Sequence, residues 1–221
     1  MTGEADAPIA LEPIRERIAE GLGRLGLDDI PPRADDRLAS LVGLLAQWAP
    51  RMNLTGHRDP LEMTSRLVLD AAGLVSALPE LGRAANLADL GSGAGFPGLP
   101  IAILRPHLIV HLIEARQKRH HFQREVRRQL NLTNARPIHG RSEALVPIRC
   151  EMAVAQAMAE PARALEHLAA WTQPGGLMIL PATAGSDPPA LPVGHRLEQR
   201  AYPVPFAAVH RLLWVVHRPQ D

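Results

Sequence analysis

Apolar residues recur at two different spacings along this 221-residue chain, and the spacing changes near residue 86. Before that point they recur every three or four positions, which is the pattern of amphipathic helices. We predict two helices within residues 9–49, separated by a turn at 28–32, and a third that begins at Asp59 and Pro60. The acid can cap that helix, and the proline suits its first turn. The second helix has a stripe predicted to be buried, formed by Leu38, Leu41, Val42, Leu45 and Trp48.

Beyond residue 86, short apolar runs alternate with helical stretches. This alternation predicts an α/β fold in which a mostly parallel sheet has helices on both faces. Residues 181–194 are rich in proline and glycine and are predicted to form a loop ahead of two closing strands that pair antiparallel. The predicted strands are 86–90, 108–114, 135–139, 152–157, 177–180 and 211–217, and the predicted helices between them are 97–104, 118–130 and 161–171.

The length of the chain suits one medium domain with a small N-terminal helical extension. We expect residues 1–8 to be disordered, residues 9–80 to form a helical segment packed on the core, and residues 81–221 to form the cofactor-binding domain. The single cysteine, Cys150, excludes an internal disulfide and a cysteine-cluster zinc site. No signal peptide or 18-residue apolar span is visible, so a cytoplasmic protein is expected. The ten histidines show no metal-ligand spacing, and His120 and His121 are interpreted as surface residues.

A glycine-rich turn follows the first predicted strand and leads into a helix. Closely spaced glycines let the backbone approach a ligand without side-chain clashes. Glu114 lies about 20 residues further on, at the end of the next strand, where a carboxylate can accept both hydroxyls of a ribose. Residues 93–98 also satisfy the G-x-G-x-x-G template of nicotinamide cofactors, so a dehydrogenase is an alternative on this evidence.

Three details favour S-adenosylmethionine over a nicotinamide cofactor. Asp89 lies inside the strand, where an acid suits a cofactor that bears an amino group. The spacing of Gly91, Gly93 and Gly95 is tight, with no pyrophosphate to cradle. A Pro-Gly-Gly sequence at 174–176 precedes an apolar strand late in the chain, as in Rossmann-like methyltransferases.

Several motifs, in the same order, resemble the bacterial 16S ribosomal RNA guanine-N(7) methyltransferases, also called glucose-inhibited division protein B. The likeness runs from about residue 38 to the last predicted strand. Its most specific part is residues 89–100, Asp-Leu-Gly-Ser-Gly-Ala-Gly-Phe-Pro-Gly-Leu-Pro, because the Phe-Pro-Gly continuation is unusual among methyltransferases. The other matching pieces are Asn53-Leu54-Thr55, Arg58-Asp59-Pro60, Arg66, Leu69-Asp70 and Lys118-Arg119.

The resemblance implies roles for individual positions. Gly91 and Phe96 match cofactor-contacting positions, Glu114 matches the acid on the ribose, and Ser142 and Glu143 match a pair that borders the adenine. Three positions depart from the family: Leu67 replaces a histidine, Gln156 an arginine near cofactor and substrate, and Pro181 a lysine. The candidate cofactor-binding residues are therefore Asp89, Gly91, Gly93, Gly95, Phe96, Glu114, Ser142, Glu143 and Gln156.

Basic residues are concentrated in segment 116–128, which holds six lysines and arginines against one acid. A positively charged helix face beside a cofactor site is suited to the phosphates of RNA. The candidate RNA-contacting residues are Arg58, Arg66, Lys118, Arg119 and Arg141.

These features predict an S-adenosylmethionine-dependent methyltransferase acting on N7 of a guanine in small-subunit ribosomal RNA or its assembly intermediate. That nitrogen has a lone pair and no proton, so the reaction requires positioning and a suitable electrostatic environment, and no general base is assigned. The alternatives are a methyltransferase for another acceptor, a cofactor- or RNA-binding relative that has lost activity, and a nicotinamide oxidoreductase. We also expect a monomer that uses no metal and does not enter a membrane.

Overall fold

The computed structural model describes residues 9–78, 85–156, 160–183 and 185–220. Residues 1–8, expected to be disordered, lie outside the described residues. The helices are α1 (Glu12–Arg24), α2 (Ala34–Met52), α3 (Pro60–Met63), a π-helical segment (Thr64–Leu69), α4 (Asp70–Ala77), α5 (Gly98–Leu104), α6 (Gln117–Gln129) and α7 (Pro161–Trp171). The strands are β1 (Asn86–Leu90), β2 (Ile109–Glu114), β3 (Ala135–His139), β4 (Cys150–Ala155), β5 (Thr172–Thr183), β6 (Arg196–Val204) and β7 (Val209–His217).

The seven strands form one sheet in the order β3-β2-β1-β4-β5-β7-β6. Strands β1 to β5 pair in parallel, whereas β7 is antiparallel to both of its neighbours. The mostly parallel sheet and the antiparallel closing pair are therefore confirmed. Dinucleotide-binding folds have the order 3-2-1-4-5-6, and this sheet differs because β7 lies between β5 and β6.

The sheet separates two apolar cores, because successive side chains on a strand point to opposite faces. Leu87 and Val154 belong to the larger core, which also includes residues of α1, α2, α5 and α6. Ala88 and Ala153 belong to the smaller core, which includes residues of α7. Helices therefore cover both faces, as predicted.

The N-terminal helices pack against the hairpin formed by β6 and β7. The ring of Tyr202 on β6 lies so close to Gly73 on α4 that a Cβ at that glycine would be 2.2 Å from Cδ2 of the ring. At the turn of the hairpin, the Phe206 ring lies under the guanidinium groups of Arg17 and Arg24, at 4.9 and 4.2 Å from its centroid. Cation–π contacts of this kind add to the apolar packing of α1.

Strand β5 corrects two of the predictions. It spans Thr172–Thr183 rather than 177–180, so the predicted loop 181–194 is wrong at its first three residues. Pro181 is tolerated because β4 pairs with β5 only as far as Val154 and Ile179, which leaves one side of β5 unpaired there. Gly175 has a φ of +75°, and the β4–β5 register shifts nearby, so the Pro-Gly-Gly sequence forms an irregularity within the strand.

Candidate cofactor site

The glycine-rich turn leaves the carboxyl end of β1 and enters α5. Gly91, Gly93 and Gly95 have φ angles of 68°, 59° and 95°, in the left-handed region that side chains rarely adopt. A Cβ on Gly93 would meet only Nη1 of Arg119, at 3.9 Å, and the Gly91 carbonyl oxygen, at 4.0 Å. The turn therefore presents backbone with open space beside it.

Glu114, at the end of β2, holds this turn in place. Its Oε2 accepts a hydrogen bond from the Gly93 N–H at 2.8 Å, and its Oε1 accepts one from the Arg116 N–H at 2.7 Å. Each carboxylate oxygen has two lone pairs, so both oxygens keep a second acceptor position. Glu114 thus positions the loop and still has acceptors for a hydroxyl group.

A cavity of about 270 Å³ lies beyond the carboxyl ends of β1, β2 and β3. Ligands of open α/β sheets bind at this edge. The structure brings five of the predicted site residues together here, together with Arg163 and His167 of α7, which sequence reasoning missed. The lining residues are Gly91, Ile113, Glu114, Ala115, Gly140, Arg141, Ser142, Glu143, Arg163 and His167.

The far wall of the cavity is formed by Ser142 and Glu143. The Ser142 hydroxyl donates to Oε2 of Glu143 at 3.1 Å, and the Ser142 carbonyl accepts from Nε1 of Trp171 at 3.2 Å. A hydrogen bond from its own backbone N–H, and then the Ser142 hydroxyl, lower the pKa of Glu143. Arg141, predicted to contact RNA, lies in the same wall with Nη1 3.8 Å from the Glu143 carboxylate.

Asp89 lies directly beneath the glycine turn and is only 1% exposed. Its Oδ2 accepts from the Gly98 N–H at 2.9 Å, at the start of α5, while Oδ1 has no partner among the described residues. Burial raises the pKa of Asp89 to about 7, against the lowering effect of the Gly98 hydrogen bond and with a contribution from Glu114. The side chain therefore caps a helix and keeps one acceptor oxygen free.

Gln123 of α6 is a functional candidate that the sequence did not reveal. Its Nε2 donates to the Ser92 hydroxyl at 2.8 Å and to the Gly93 carbonyl at 2.7 Å, and the residue is fully buried. The available signal was a polar side chain directly after Phe122, at the edge of the apolar stripe that docks α6 on the sheet. Gln123 therefore ties the glycine turn to α6.

Five of the nine predicted cofactor residues lie outside the cavity lining, namely Asp89, Gly93, Gly95, Phe96 and Gln156. Phe96 packs half-buried against the larger core. Gln156 instead donates to the Asp70 carboxylate at 3.4 Å. Neither contact tests a role in cofactor binding, so the roles of Phe96 and Gln156 stay predictions.

Asp70 is the centre of a buried polar cluster that joins four elements. Tyr202 donates to its Oδ1 at 2.8 Å, and Arg211 donates to Oδ1 through Nε at 3.1 Å and to Oδ2 through Nη2 at 2.5 Å. The Asp70 carboxylate raises the pKa of the Arg211 guanidinium. These partners lie more than 80 residues from Asp70 in sequence, so no local pattern could reveal them.

The predicted RNA-contacting residues lie in separate places. Arg119 is half-buried beside the glycine turn, whereas Arg66 is exposed on the π-helical segment. Arg58 lines a surface groove of about 640 Å³ between α2 and the end of α6. Lys118 lines a further cavity, beside α2, together with His120. His120 is half-buried there and His121 is exposed, so both lie at the surface, as interpreted.

The described part of the chain has no helix that is long and apolar enough to cross a membrane. Within the same residues, no group of three or more histidine, cysteine, aspartate and glutamate side chains is arranged to hold a metal ion.

Comparison with known proteins identifies a family. The model of the GidB family, described as rRNA small subunit methyltransferase G, matches residues 35–183. A ribosomal RNA small subunit methyltransferase G from Chromohalobacter salexigens is 35% identical over 205 residues, covering 91% of this chain and 96% of the relative. One from Azoarcus sp. is 40% identical over 137 residues, covering 62% of this chain and 63% of the relative.

Solved structures with low sequence identity share the fold. A variant of MtNAS in complex with S-adenosylmethionine superposes with a TM-score of 0.57 at 15% identity, covering 95% of this chain and 96% of that chain. An S-adenosylmethionine-dependent methyltransferase from Aquifex aeolicus gives 0.51 at 15% identity, covering 72% and 93%. The predicted Rossmann-like methyltransferase fold is therefore confirmed.

Proposed function

This chain belongs to the rRNA small subunit methyltransferase G family, and we propose that it transfers the methyl group of S-adenosylmethionine to N7 of a guanine in small-subunit ribosomal RNA. The main support is the glycine turn that Glu114 holds beside the cavity, within the segment that matches the family. Family membership also argues against the nicotinamide alternative, and the position of β7 agrees with that conclusion.

The residues of the site suit S-adenosylmethionine in charge and in shape. Glu114 and Glu143 offer carboxylate acceptors to hydroxyl or amino groups at the cavity. Asp89 has a buried oxygen without a described partner, and an ammonium group would complete its hydrogen bonding. The open side of the turn at Gly93 admits a ligand against the backbone. We propose that these residues, with Gly91, Gly95, Phe96, Ser142 and Gln156, bind the cofactor.

Methyl transfer to N7 of guanine requires positioning rather than proton removal. S-adenosylmethionine supplies an electrophilic methyl group, so the chemistry of activation belongs to the cofactor. The protein has to hold two reactants in line and keep the site preorganised. Gln123 and Glu114 fix the turn from two directions, and the Asp70 cluster fixes the polar wall after β4. None of these side chains needs to act as a base.

The departures from the family pattern affect the acceptor side. The arginine expected at position 156 is a glutamine, which donates to Asp70, and Arg211 on β7 brings a guanidinium to the same carboxylate. We propose retained activity rather than a relative that only binds cofactor or RNA. Arg58, Arg66, Lys118, Arg119 and Arg141 are proposed to contact the RNA.

A methyl-transfer assay tests the proposal directly. Purified protein would be incubated with labelled S-adenosylmethionine and small ribosomal subunits from a strain lacking the family's enzyme, and separately with their deproteinised 16S RNA. We expect label in the RNA, and mass spectrometry of its nucleosides should identify 7-methylguanosine. Label in another nucleoside would assign a different acceptor. Cofactor binding without any transfer would indicate lost activity.

The cofactor site has its own test in Glu114→Gln. The amide keeps one acceptor oxygen but exchanges the other for a donor, which opposes either the Gly93 or the Arg116 N–H. We expect S-adenosylmethionine affinity, measured by calorimetry, to fall by about tenfold or more, as for loss of a charged hydrogen bond. Glu166→Gln, at an exposed position on α7, is the control and should bind normally. If Glu114→Gln and Glu166→Gln bind S-adenosylmethionine with the same affinity, Glu114 is not part of the cofactor site.

A further inference from the structure

A second cavity, of about 440 Å³, lies beside the cofactor cavity and contains three histidines. Within the described residues its lining includes no carboxylate. We call it the histidine pocket; it is lined by Met52 of α2, by Gln117, Lys118, His120, His121 and Arg124 of α6, and by His139 of β3.

Two of the three imidazoles of the pocket are stacked, that of His120, which is half-buried, and that of His139, which is exposed. The ring centroids of His120 and His139 are 5.2 Å apart, with an angle of 26° between the planes. His139 donates from Nε2 to the Ala115 carbonyl, with 3.1 Å between the two atoms. Its Nδ1 is therefore an acceptor in the neutral ring and becomes a donor only when the ring takes up a proton.

Cationic and titratable groups surround His120 from two elements. Burial lowers the pKa of His120, and His139, Arg124 and His121 lower it further, against a backbone hydrogen bond at Pro137. The nearest acid along α6, Glu125, is engaged by Arg128 at 2.5 Å and by Gln129 at 2.7 Å. Positive charge in the pocket is thus left without a counter-ion among the described residues, and a bound anion would relieve the repulsion.

The position of the pocket connects it to the cofactor cavity. Ala115 and Gly140 line the cofactor cavity, while Gln117 and His139, close to them in sequence, line the histidine pocket. The segment that links β2 to α6 and the segment at the end of β3 therefore each form a wall of both cavities. A polynucleotide crossing the carboxyl edge of the sheet would pass over both.

We propose that the histidine pocket binds a backbone phosphate of the RNA, at a nucleotide flanking the methyl acceptor. The inference rests on the proposed function, because it takes the ligand to be the RNA substrate. Phosphate oxygens accept from the Lys118 ammonium, the Arg124 guanidinium and the protonated ring of His120, against which His139 is stacked. Binding therefore takes up protons from solution, and RNA affinity rises as the pH falls through the range in which His120 titrates.

The double variant His120→Asn with His139→Asn tests the pocket in the full-length protein. Asparagine keeps polarity and removes the titration. We expect the KM for undermethylated small subunits to rise by about tenfold, as for loss of a charge-assisted hydrogen bond, with kcat and S-adenosylmethionine affinity unchanged. The increase in RNA affinity at lower pH should disappear as well. His107→Asn, at an exposed position on the loop before β2 and at the opposite edge of the sheet, is the control.

Imidazole NMR signals of the unmodified protein give a second, activity-independent readout. A short single-stranded RNA should raise the pKa of His120, and inorganic phosphate at millimolar concentration should do so more weakly. An unperturbed His120 in the presence of RNA would overturn the proposal, as would a double variant with unchanged KM and pH dependence. A response to inorganic phosphate alone would show an anion site that does not serve RNA. If no methyl group is transferred to 16S RNA, the proposed function fails. The NMR titration would still show whether the histidine pocket binds RNA.

Discussion

Asp89 is the residue whose charge is most altered by the fold. Burial raises its pKa from 3.8 to about 7, so the folded protein favours the protonated form. That stabilisation is complete below about pH 4 and is lost as the pH rises towards 7. We expect the free energy of unfolding of the wild type to fall relative to Asp89→Asn across this range, by on the order of 4 kcal/mol. Urea denaturation at several pH values measures the difference.

The same variant tests whether Asp89 contacts the amino group of the cofactor. An ammonium beside the carboxylate would favour its ionised form, so S-adenosylmethionine affinity should rise between about pH 5.5 and 7.5 in the wild type and stay flat in Asp89→Asn. Asp187→Asn, on an exposed loop, should behave as the wild type. If the affinity for S-adenosylmethionine changes with pH in the same way in the wild type and in Asp89→Asn, then Asp89 only caps the helix and does not contact the amino group of the cofactor.

Gln123 makes a separate prediction about the glycine turn. Gln123→Leu preserves the approximate shape but leaves the Gly93 carbonyl and the Ser92 hydroxyl without their donor. We expect a loss of about 1–3 kcal/mol in the free energy of unfolding and a weaker affinity for S-adenosylmethionine, since the turn is less ordered before binding. Gln129→Ala, at the exposed end of α6, is the control. Normal cofactor affinity in Gln123→Leu would show that the turn needs no support from α6.

At the scale of elements, the Asp70 cluster joins α4 to β6, β7 and the end of β4. The Asp70 side chain is 5% exposed and that of Arg211 is 26% exposed, so Asp70→Asn leaves a largely desolvated guanidinium without its counter-charge. We expect a loss of about 3 kcal/mol in the free energy of unfolding, and about 1.5 kcal/mol for Tyr202→Phe. Asp36→Asn, in the exposed ion pair with Arg33, should cost less than about 1 kcal/mol. A cost for Asp70→Asn no larger than this control would show that the cluster does not hold the hairpin.

The elements that could be predicted from sequence are those with strong local signals. The predicted bounds of β1, β3 and α7 match the structure, because an apolar run before glycines or a proline at the first turn marks each limit. Strand β5 was predicted too short, because both of its ends contain proline or glycine and are held by distant partners: Thr172 pairs with β4, and residues 181–183 pair with β7. The division of the chain near residue 80 stays a prediction, since residues 79–84 lie outside the described part.

The candidate site divides in the same way. The turn at 91–95 and Glu114 could be recognised because their chemistry depends on short spacing within one β-α-β unit. Arg163, His167 and Arg211 could not, since only the sheet order brings them near the site. The stacking of His120 on His139 could not be predicted either, because the two residues belong to different elements.

At the scale of the whole molecule, a net charge of +1 conceals an uneven distribution. Five cations of segment 116–128 make no ion pair within the described residues, while Arg128 of the same segment is paired with Glu125. These unpaired residues are Arg116, Lys118 and Arg119, near the carboxyl edge of the sheet, and Arg124 and Arg127, further along α6 towards the opposite edge. The amino edge has cations such as Arg149, which precedes β4. A polyanion is therefore expected to bind along α6.

The salt dependence of RNA binding tests this orientation. Arg116→Gln with Arg127→Gln removes two charges at the ends of α6, and Arg37→Gln with Arg149→Gln removes two exposed charges elsewhere. Each phosphate contact to single-stranded RNA contributes about 0.7 to the slope of log K against log salt, so the first pair should reduce the slope by about 1.4. The second double variant has the same net charge as the first but should keep the slope of the wild type. The reason is that counterions are released where the protein contacts the RNA, and not by the total charge of the protein. If the two double variants have the same slope, the RNA binds away from α6, whatever their affinities for RNA.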